Sequence, residues 1–162
     1  MNRQQHMLMK ILQKIRVFDG LEIHEAQTLL SLAQMRQFEK AEIVYTFGDP
    51  SNDMLVLIKG RLKVMSKDGK PLVDIPPGAS TGEMGLFTGM PRSATIMAAE
   101  QSVCVMFERS RLRNLMETEV HLKSVILQNV VDLLAERLVE TDRKLVEQMQ
   151  RVAELEGKQP AP

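Results

Sequence analysis

The alternation of apolar and polar positions changes period twice along the chain. In "EIHEAQTLLSLAQM", Ile23, Ala26, Leu29, Leu30 and Ala33 recur at steps of three and four, which predicts an amphipathic helix. Asp19-Gly20 separates it from a preceding helical stretch, so residues 1–36 are expected to form an N-terminal helical segment. Beyond it the period shortens. "EIVYTF", "MLVLI", "RLKVM", "LVDI", "ATIMAA" and "SVCVMF" are short apolar runs, divided by turn signals at Gly48-Asp49-Pro50, Lys59-Gly60, Asp68-Gly69 and Pro76-Pro77-Gly78. In "RLKVM", Leu62 and Val64 alternate with Arg61 and Lys63, as in a strand with one buried face. Asp68-Gly69 predicts a two-residue hairpin in a type I′ turn, which needs positive φ. Short strands at this density predict an all-β barrel or sandwich over residues 37–108.

Residues 109–156 return to helical spacing. Val131, Leu134, Leu138, Thr141, Leu145, Gln148, Val152 and Leu155 alternate steps of three and four, a heptad seam that predicts a long helix pairing as a coiled-coil dimer. The alternative is a long helix lying on its own barrel. Thr141 and Gln148 are the two polar positions in the seam, where a register device or a ligand contact is expected. Residues 157–162, "GKQPAP", have the composition of a disordered tail.

Charge and composition exclude several classes. Lysine plus arginine equals aspartate plus glutamate at 21 each, so the basic excess of a nucleic-acid binder is missing. No window approaches the ~20 apolar residues of a membrane helix, and the N-terminus has no apolar core with a cleavage site. The lone Cys104 rules out an internal disulfide, and in "SVCVMF" it reads as a buried small hydrophobe; a cytoplasmic location is expected. A metal site on a β-barrel needs histidines projecting from strands, whereas His6, His24 and His121 all lie in helical segments. No Ser-His-Asp order is evident, so neither catalysis nor a metal is expected. Lys59, Arg61 and Lys63 are read as water-facing strand positions.

The stretch with chemistry is "TGEMGLFTGMPRSATI", residues 81–96. Gly82 can take positive φ or let a ligand approach the backbone, and one helical turn from Glu83 to Phe87 would aim free N–H groups over it. Pro91 breaks that turn, and Arg92 stands where a guanidinium fork could reach back to phosphate oxygens. A carboxylate acceptor beside an anion suits a ligand that also carries hydroxyls, as a nucleotide's ribose does. The alternative is a solvated Glu83–Arg92 ion pair worth about 0–1 kcal/mol.

This stretch resembles the phosphate-binding cassette of cyclic-nucleotide-binding domains, the family of the bacterial catabolite activator protein and of protein kinase A regulatory subunits. "FDGLEIHEAQTLLSLAQMRQFEKAEIVYTFGDPSNDMLVLIKGRLKV" extends the resemblance over the N-terminal half. It implies an α+β fold: an antiparallel β-roll, a jelly-roll-like barrel, with N-terminal helices and a long C-terminal dimerisation helix. It also implies a ligand site of Gly82, Glu83, Met84, Gly85, Arg92, Ser93 and Ala94. Within it, Gly82 meets the phosphate by backbone, Glu83 the ribose 2′-hydroxyl, Arg92 the cyclic phosphate, and Ser93 the phosphate or base. "RLVETDRKL" resembles the activator's dimer helix, which puts Thr141 against adenine and Asp142 where a serine stands there. Thr81, Ala41 and Gly85 depart from the family's aromatic, glycine and alanine. The winged helix-turn-helix of transcriptional relatives is not expected in the six residues after Glu156.

The expected function is a non-catalytic regulatory domain that senses a cyclic nucleotide, cyclic AMP preferred, and relays binding through its C-terminal helix to a separate effector protein. Its partners would be the nucleotide, a second copy of the chain and that effector, with no nucleic acid, membrane or cofactor. The alternatives are a ligand-free dimerisation module of the same fold, or a sensor of cyclic GMP or a cyclic dinucleotide.

Overall fold

The computed structural model describes residues 15–157, so expectations for 1–14 and 158–162, including His6, lie outside the described residues. A short 3₁₀ turn (Arg16–Phe18) precedes α1 (Ile23–Ser31). Eight strands follow: β1 (Gln34–Phe38), β2 (Ile43–Tyr45), β3 (Asp53–Lys59), β4 (Leu62–Met65), β5 (Pro71–Ile75), β6 (Ser80–Thr81), β7 (Thr95–Ala98) and β8 (Ser102–Glu108). The short helix α2 (Glu83–Thr88) lies between β6 and β7, and α3 (Arg109–Thr118) and α4 (Val120–Glu156) close the described chain. This is the expected α+β fold. The roll is two four-stranded antiparallel sheets, ordered β1-β8-β3-β6 and β2-β7-β4-β5, and not a closed barrel. The sheets meet through side chains, with no backbone ladder joining their edges.

Two cores explain why β3 and β8 read as unbroken apolar runs. Leu55 and Leu57 of β3, with Cys104 and Met106 of β8, face the other sheet and pack with Phe38, Tyr45, Leu62, Ile75 and Ile96. Met54, Val56, Val105 and Phe107 point the opposite way, into a core built with Phe18, Leu29, Leu86, Leu112, Leu122 and Ile126 from the helices. A strand covered on both faces loses the two-residue alternation. Cys104 is buried, and that burial pushes its thiol pKa up to about 11, so it behaves as packing.

Three local expectations are refined. Residues 34–36, read as the end of the N-terminal helical segment, belong to strand β1 (Gln34–Phe38); four of its five residues are exposed, so no apolar alternation marked it. The β4–β5 hairpin forms, but only Gly69 has positive φ (75°), not Asp68. Gly69 N–H donates to Ser66 O (3.0 Å) and Ser66 N–H to Lys70 O (2.7 Å), a three-residue loop ending in a left-handed glycine in place of the type I′ turn. Ala41 takes the left-handed backbone of a turn glycine itself (φ 70°), a strain of about 1–2 kcal/mol for a residue with a Cβ.

Helix α4 has 37 residues and is about 55 Å long. Its first half buries Leu122, Ile126, Val130 and Leu133 against the body. Past Leu134 the helix is exposed, with Leu138, Leu145, Val152 and Leu155 open to solvent along the seam. The reading of a helix lying on its own roll therefore holds for the first half, and the second half leaves its apolar seam uncovered. The start of α4 is fixed by His121, whose Nδ1 lies 2.9 Å from Oε1 of the buried Glu25 on α1. Burial pushes the Glu25 pKa up, but the Glu22 N–H and His121 outweigh it and hold the carboxyl below its ordinary value. The same hydrogen bond, with Glu25's charge, raises His121.

The signs define a window. His121 contributes fully below its ordinary pKa of 6.5 and less as pH rises through its higher folded value. Glu25 contributes above its ordinary 4.5 and less as pH falls through its lower folded value. The urea midpoint of the protein is therefore expected to decline as pH rises above His121's ordinary 6.5, and His121→Gln to remove that part of the decline. A wild-type and a variant curve of the same slope would contradict the assignment.

Candidate functional site

The cassette is placed by β6. Two residues pair it to β3 (Leu55 with Thr81, Val56 with Ser80), which lays Gly82 against the start of β3. Gly82 then turns the chain into α2 with φ of 92°. A Cβ there would stand 2.7 Å from Arg92 Nη1 and 2.9 Å from the Asp53 carbonyl oxygen, so the missing side chain makes room for the arginine. Gly85 is required differently: a Cβ on it would run into the side chain of Ser51. An alanine at position 85 would therefore have to displace Ser51.

Arg92 is buried beneath this turn, its side chain 6% exposed. The loop before β3 holds its backbone: Arg92 N–H donates to Asp49 O (2.8 Å), and Arg92 O accepts from Gly48 N–H (2.9 Å). Its guanidinium donates from Nη1 to Asp53 O and from Nη2 to Asp53 Oδ1, each at 2.8 Å. It also stacks on Tyr45, with Cζ 3.5 Å from the ring centroid. The Tyr45 hydroxyl donates to the same Asp53 Oδ1. Burial, reinforced by the charge of Asp53 and opposed by that of Arg92, pushes the Tyr45 pKa well above its ordinary value, so the hydroxyl stays a donor.

Glu83 is buried too, 1% exposed, but its partner is Arg137 on α4 and not Arg92. Arg137 Nη1 donates to Glu83 Oε1, and its Nη2 donates to Ser80 O at 2.9 Å. The solvated Glu83–Arg92 pair therefore does not occur. The second carboxylate oxygen, Glu83 Oε2, is buried and accepts no hydrogen bond from any described residue. A buried acceptor left in that state is costly unless a donor arrives.

The predicted residues divide into two groups. Gly82, Glu83, Gly85 and Arg92 come together around α2; Met84 and Ser93 lie exposed at its rim, and Ala94 is half-buried. Thr141 and Asp142 are exposed on α4, one turn past Arg137, and the Thr141 hydroxyl donates to Arg137 O (2.7 Å). Asp53, Tyr45 and Arg137 were not anticipated. Arg137 had a signal, since it stands four residues before Thr141 on the same helix face. No group of three or more His, Cys, Asp or Glu among the described residues could hold a metal ion. No described helix is long and apolar enough to cross a membrane.

A two-sheet roll, a buried arginine and carboxylate on either side of a left-handed glycine, and a long helix reaching the carboxylate define a nucleotide-sensing class of domain. Residues 35–119 match the family described as Cyclic nucleotide-binding domain, and the chain belongs to it. The fold agrees with the crystal structure of a cyclic nucleotide-binding domain from Methylobacillus flagellatus, with a TM-score of 0.78 and 25% identity over 90% of this chain and 84% of that one. By sequence the chain is 28% identical to Glutaminase 1 of Bradyrhizobium diazoefficiens over 80% of its length, and 23% identical to the cAMP-dependent protein kinase regulatory subunit of Dictyostelium discoideum over 65%. It spans only 21% and 35% of those two proteins. Domains of this family are regulatory and not catalytic.

The packing at Gly85 gives a direct check. Gly85→Ala is expected to lower stability by roughly 1–3 kcal/mol by overpacking, and Ser51→Gly in the same chain to recover most of it. A double-mutant cycle in urea with no coupling between the two positions would show that Ser51 does not fill that space.

Proposed function

We propose that the chain is a cyclic-nucleotide sensor that prefers cyclic AMP, works as a parallel homodimer and relays occupancy through α4 to a separate effector protein. The observation that carries this reading is Glu83 Oε2, a buried carboxylate oxygen with no donor, beside the arginine-lined turn. A ribose hydroxyl supplies the missing donor. A guanidinium has five N–H groups, and Asp53 takes one from each terminal nitrogen of Arg92, so donors are left for phosphate oxygens. The name of the Dictyostelium relative, together with Thr141 one turn beyond Arg137, supports cyclic AMP over cyclic GMP.

The relay reading rests on the joint between cassette and helices. Arg109, the first residue of α3, donates from Nε to Leu86 O (3.2 Å), so a cassette that shifts pulls on α3. The break between α3 and α4 at Glu119 is the hinge. Ligand moves this equilibrium only by its differential affinity for the two helix positions. The dimer reading rests on the exposed seam. With Val131 at heptad position a, Arg137, Lys144 and Arg151 fall at g, and Asp142, Met149 and Glu156 at e. In a parallel in-register pair, each g faces the e five residues on, which sets Arg137 by the partner's Asp142 and Arg151 by the partner's Glu156.

A ligand-free dimerisation module of the same fold is the second reading. It is favoured by the fact that Arg92 and Glu83 are each already paired within the chain.

Calorimetry with cyclic AMP, cyclic GMP and 2′-deoxy cyclic AMP separates the two. Arg92→Ala is expected to cost roughly 2–5 kcal/mol of binding, the range for truncating a buried charge partner. Glu83→Ala should cost less and abolish discrimination against the 2′-deoxy ligand. An unchanged isotherm for Arg92→Ala would overturn the site assignment, and no heat with any nucleotide would leave the module reading. For the seam, Leu138→Glu with Leu145→Glu is expected to give a monomer in sedimentation, and an unchanged mass would refute the helix dimer.

A further inference from the structure

The two buried charges of the cassette are each cancelled by a partner within the chain. Arg92 (side chain 6% exposed) is neutralised by Asp53 (31%), and Glu83 (1%) by Arg137 (44%). In a phosphate site the expected balance is a free positive charge, because an anion must leave water to enter. Here the arginine aimed at the phosphate already has an internal anion, held on it by two hydrogen bonds and steadied by the Tyr45 hydroxyl. The geometry demands this counter-charge, since a guanidinium this buried without a partner is strongly destabilising. The consequence falls on the ligand.

A cyclic phosphodiester carries one negative charge, whereas a nucleoside 5′-monophosphate carries nearly two at neutral pH. With the site neutral, neither gains net attraction from it, and the second charge adds desolvation and repulsion from Asp53 and Glu83. We propose that Asp53 is a specificity-determining residue: by cancelling the charge of Arg92 it admits the singly charged cyclic phosphodiester and rejects the doubly charged phosphomonoester. Asp53 acts through Arg92 and through its field, without contacting the ligand's reactive atoms. The inference rests on the cassette being the nucleotide site proposed above.

The electrostatic energy of a ligand in a fixed field scales with its charge. Removing the charge of Asp53 therefore helps a dianion about twice as much, in free energy, as a monoanion. The test is calorimetry of the full chain with cyclic AMP and with 5′-AMP, on wild type, Asp53→Asn and Asp53→Glu. If Asp53→Asn tightens cyclic AMP tenfold, about 1.4 kcal/mol, 5′-AMP is expected to tighten about a hundredfold, so the selectivity ratio shrinks about tenfold. Asp53→Glu keeps the charge and is expected to keep the ratio. A residue that only positions Arg92 behaves differently: both ligands weaken in Asp53→Asn, or both change by one factor. Either result in a folded variant overturns the proposal. Should Asp53→Asn be too unstable for calorimetry, Asp53→Ser, which leaves room for water at Arg92, provides the second neutral variant. The melting shifts of either variant with the two nucleotides then read the same ratio, and an unchanged ratio overturns the proposal. A wild type that binds cyclic AMP with an unaltered ratio in the variants sinks this inference alone. A wild type that binds neither nucleotide sinks the site itself and the inference with it.

Discussion

A buried arginine has to be given a counter-charge, and the architecture of this domain follows that requirement at Arg92. Leaving a guanidinium unpaired in a protein interior costs several kcal/mol, so the groups around it are not interchangeable decoration. Asp53 opens β3 and offers both its carbonyl and its carboxylate. Tyr45 closes β2 and offers its ring face. Gly82 offers only the absence of a Cβ. The loop through Gly48 and Asp49 fixes the arginine's own backbone. These contributions come from four separate places in the chain, and the roll brings all of them to one end of β3.

The pair of Glu83 and Arg137 is of a different kind. The Arg92–Asp53 pair ties the cassette to β3 of the roll, whereas the Glu83–Arg137 pair ties the cassette to the long helix. The first pair lies within the roll; the second is a strap that joins the cassette to a helix that also shares its apolar core through Leu86. Beyond Leu134 the helix packs no apolar side chain into the core of the described body, and Arg137, with its neighbour Glu136, forms the last ties. Glu136 reaches back to Arg16 in a two-pronged pair at 2.6 Å, but both side chains are more than half exposed and such pairs add little. The anchor that matters is the buried carboxylate.

Much of this was legible in the sequence, in proportion to how local its cause is. The continuous apolar runs of β3 and β8, the face of α1 and the seam of α4 are patterns within single elements. The cassette was legible because a glycine, an acid, a proline and an arginine stand within sixteen residues. β1 was not, because Gln34 to Gln37 are exposed on both faces and carry no alternation. The partners of the two key charges were not legible either. Asp53 is 39 residues from Arg92 and Arg137 is 54 from Glu83, and nothing local in an aspartate or an arginine says which distant charge it meets. The sequence thus showed both charges, with a mutual ion pair as the alternative reading; the fold gives each a different ion partner and leaves Glu83 Oε2 without a donor.

That separation bears on what α4 can do. Arg137 serves two geometries at once: it lies against Glu83 and Ser80 O in its own chain, and at a g position of the exposed seam. Sliding α4 by one turn would carry it about 5.4 Å, far beyond hydrogen-bonding distance, and leave Glu83 buried with both oxygens unpaired. Such a slide is therefore coupled to whatever else can donate to Glu83. A donor that satisfies Oε2 alone, with Arg137 in place, favours the strapped helix; one that satisfies both oxygens makes the strap dispensable and frees the helix. Those two cases predict opposite directions of movement from the same carboxylate. In the proposed sensor, the number of donors that a nucleotide brings to Glu83 is therefore what would set the direction.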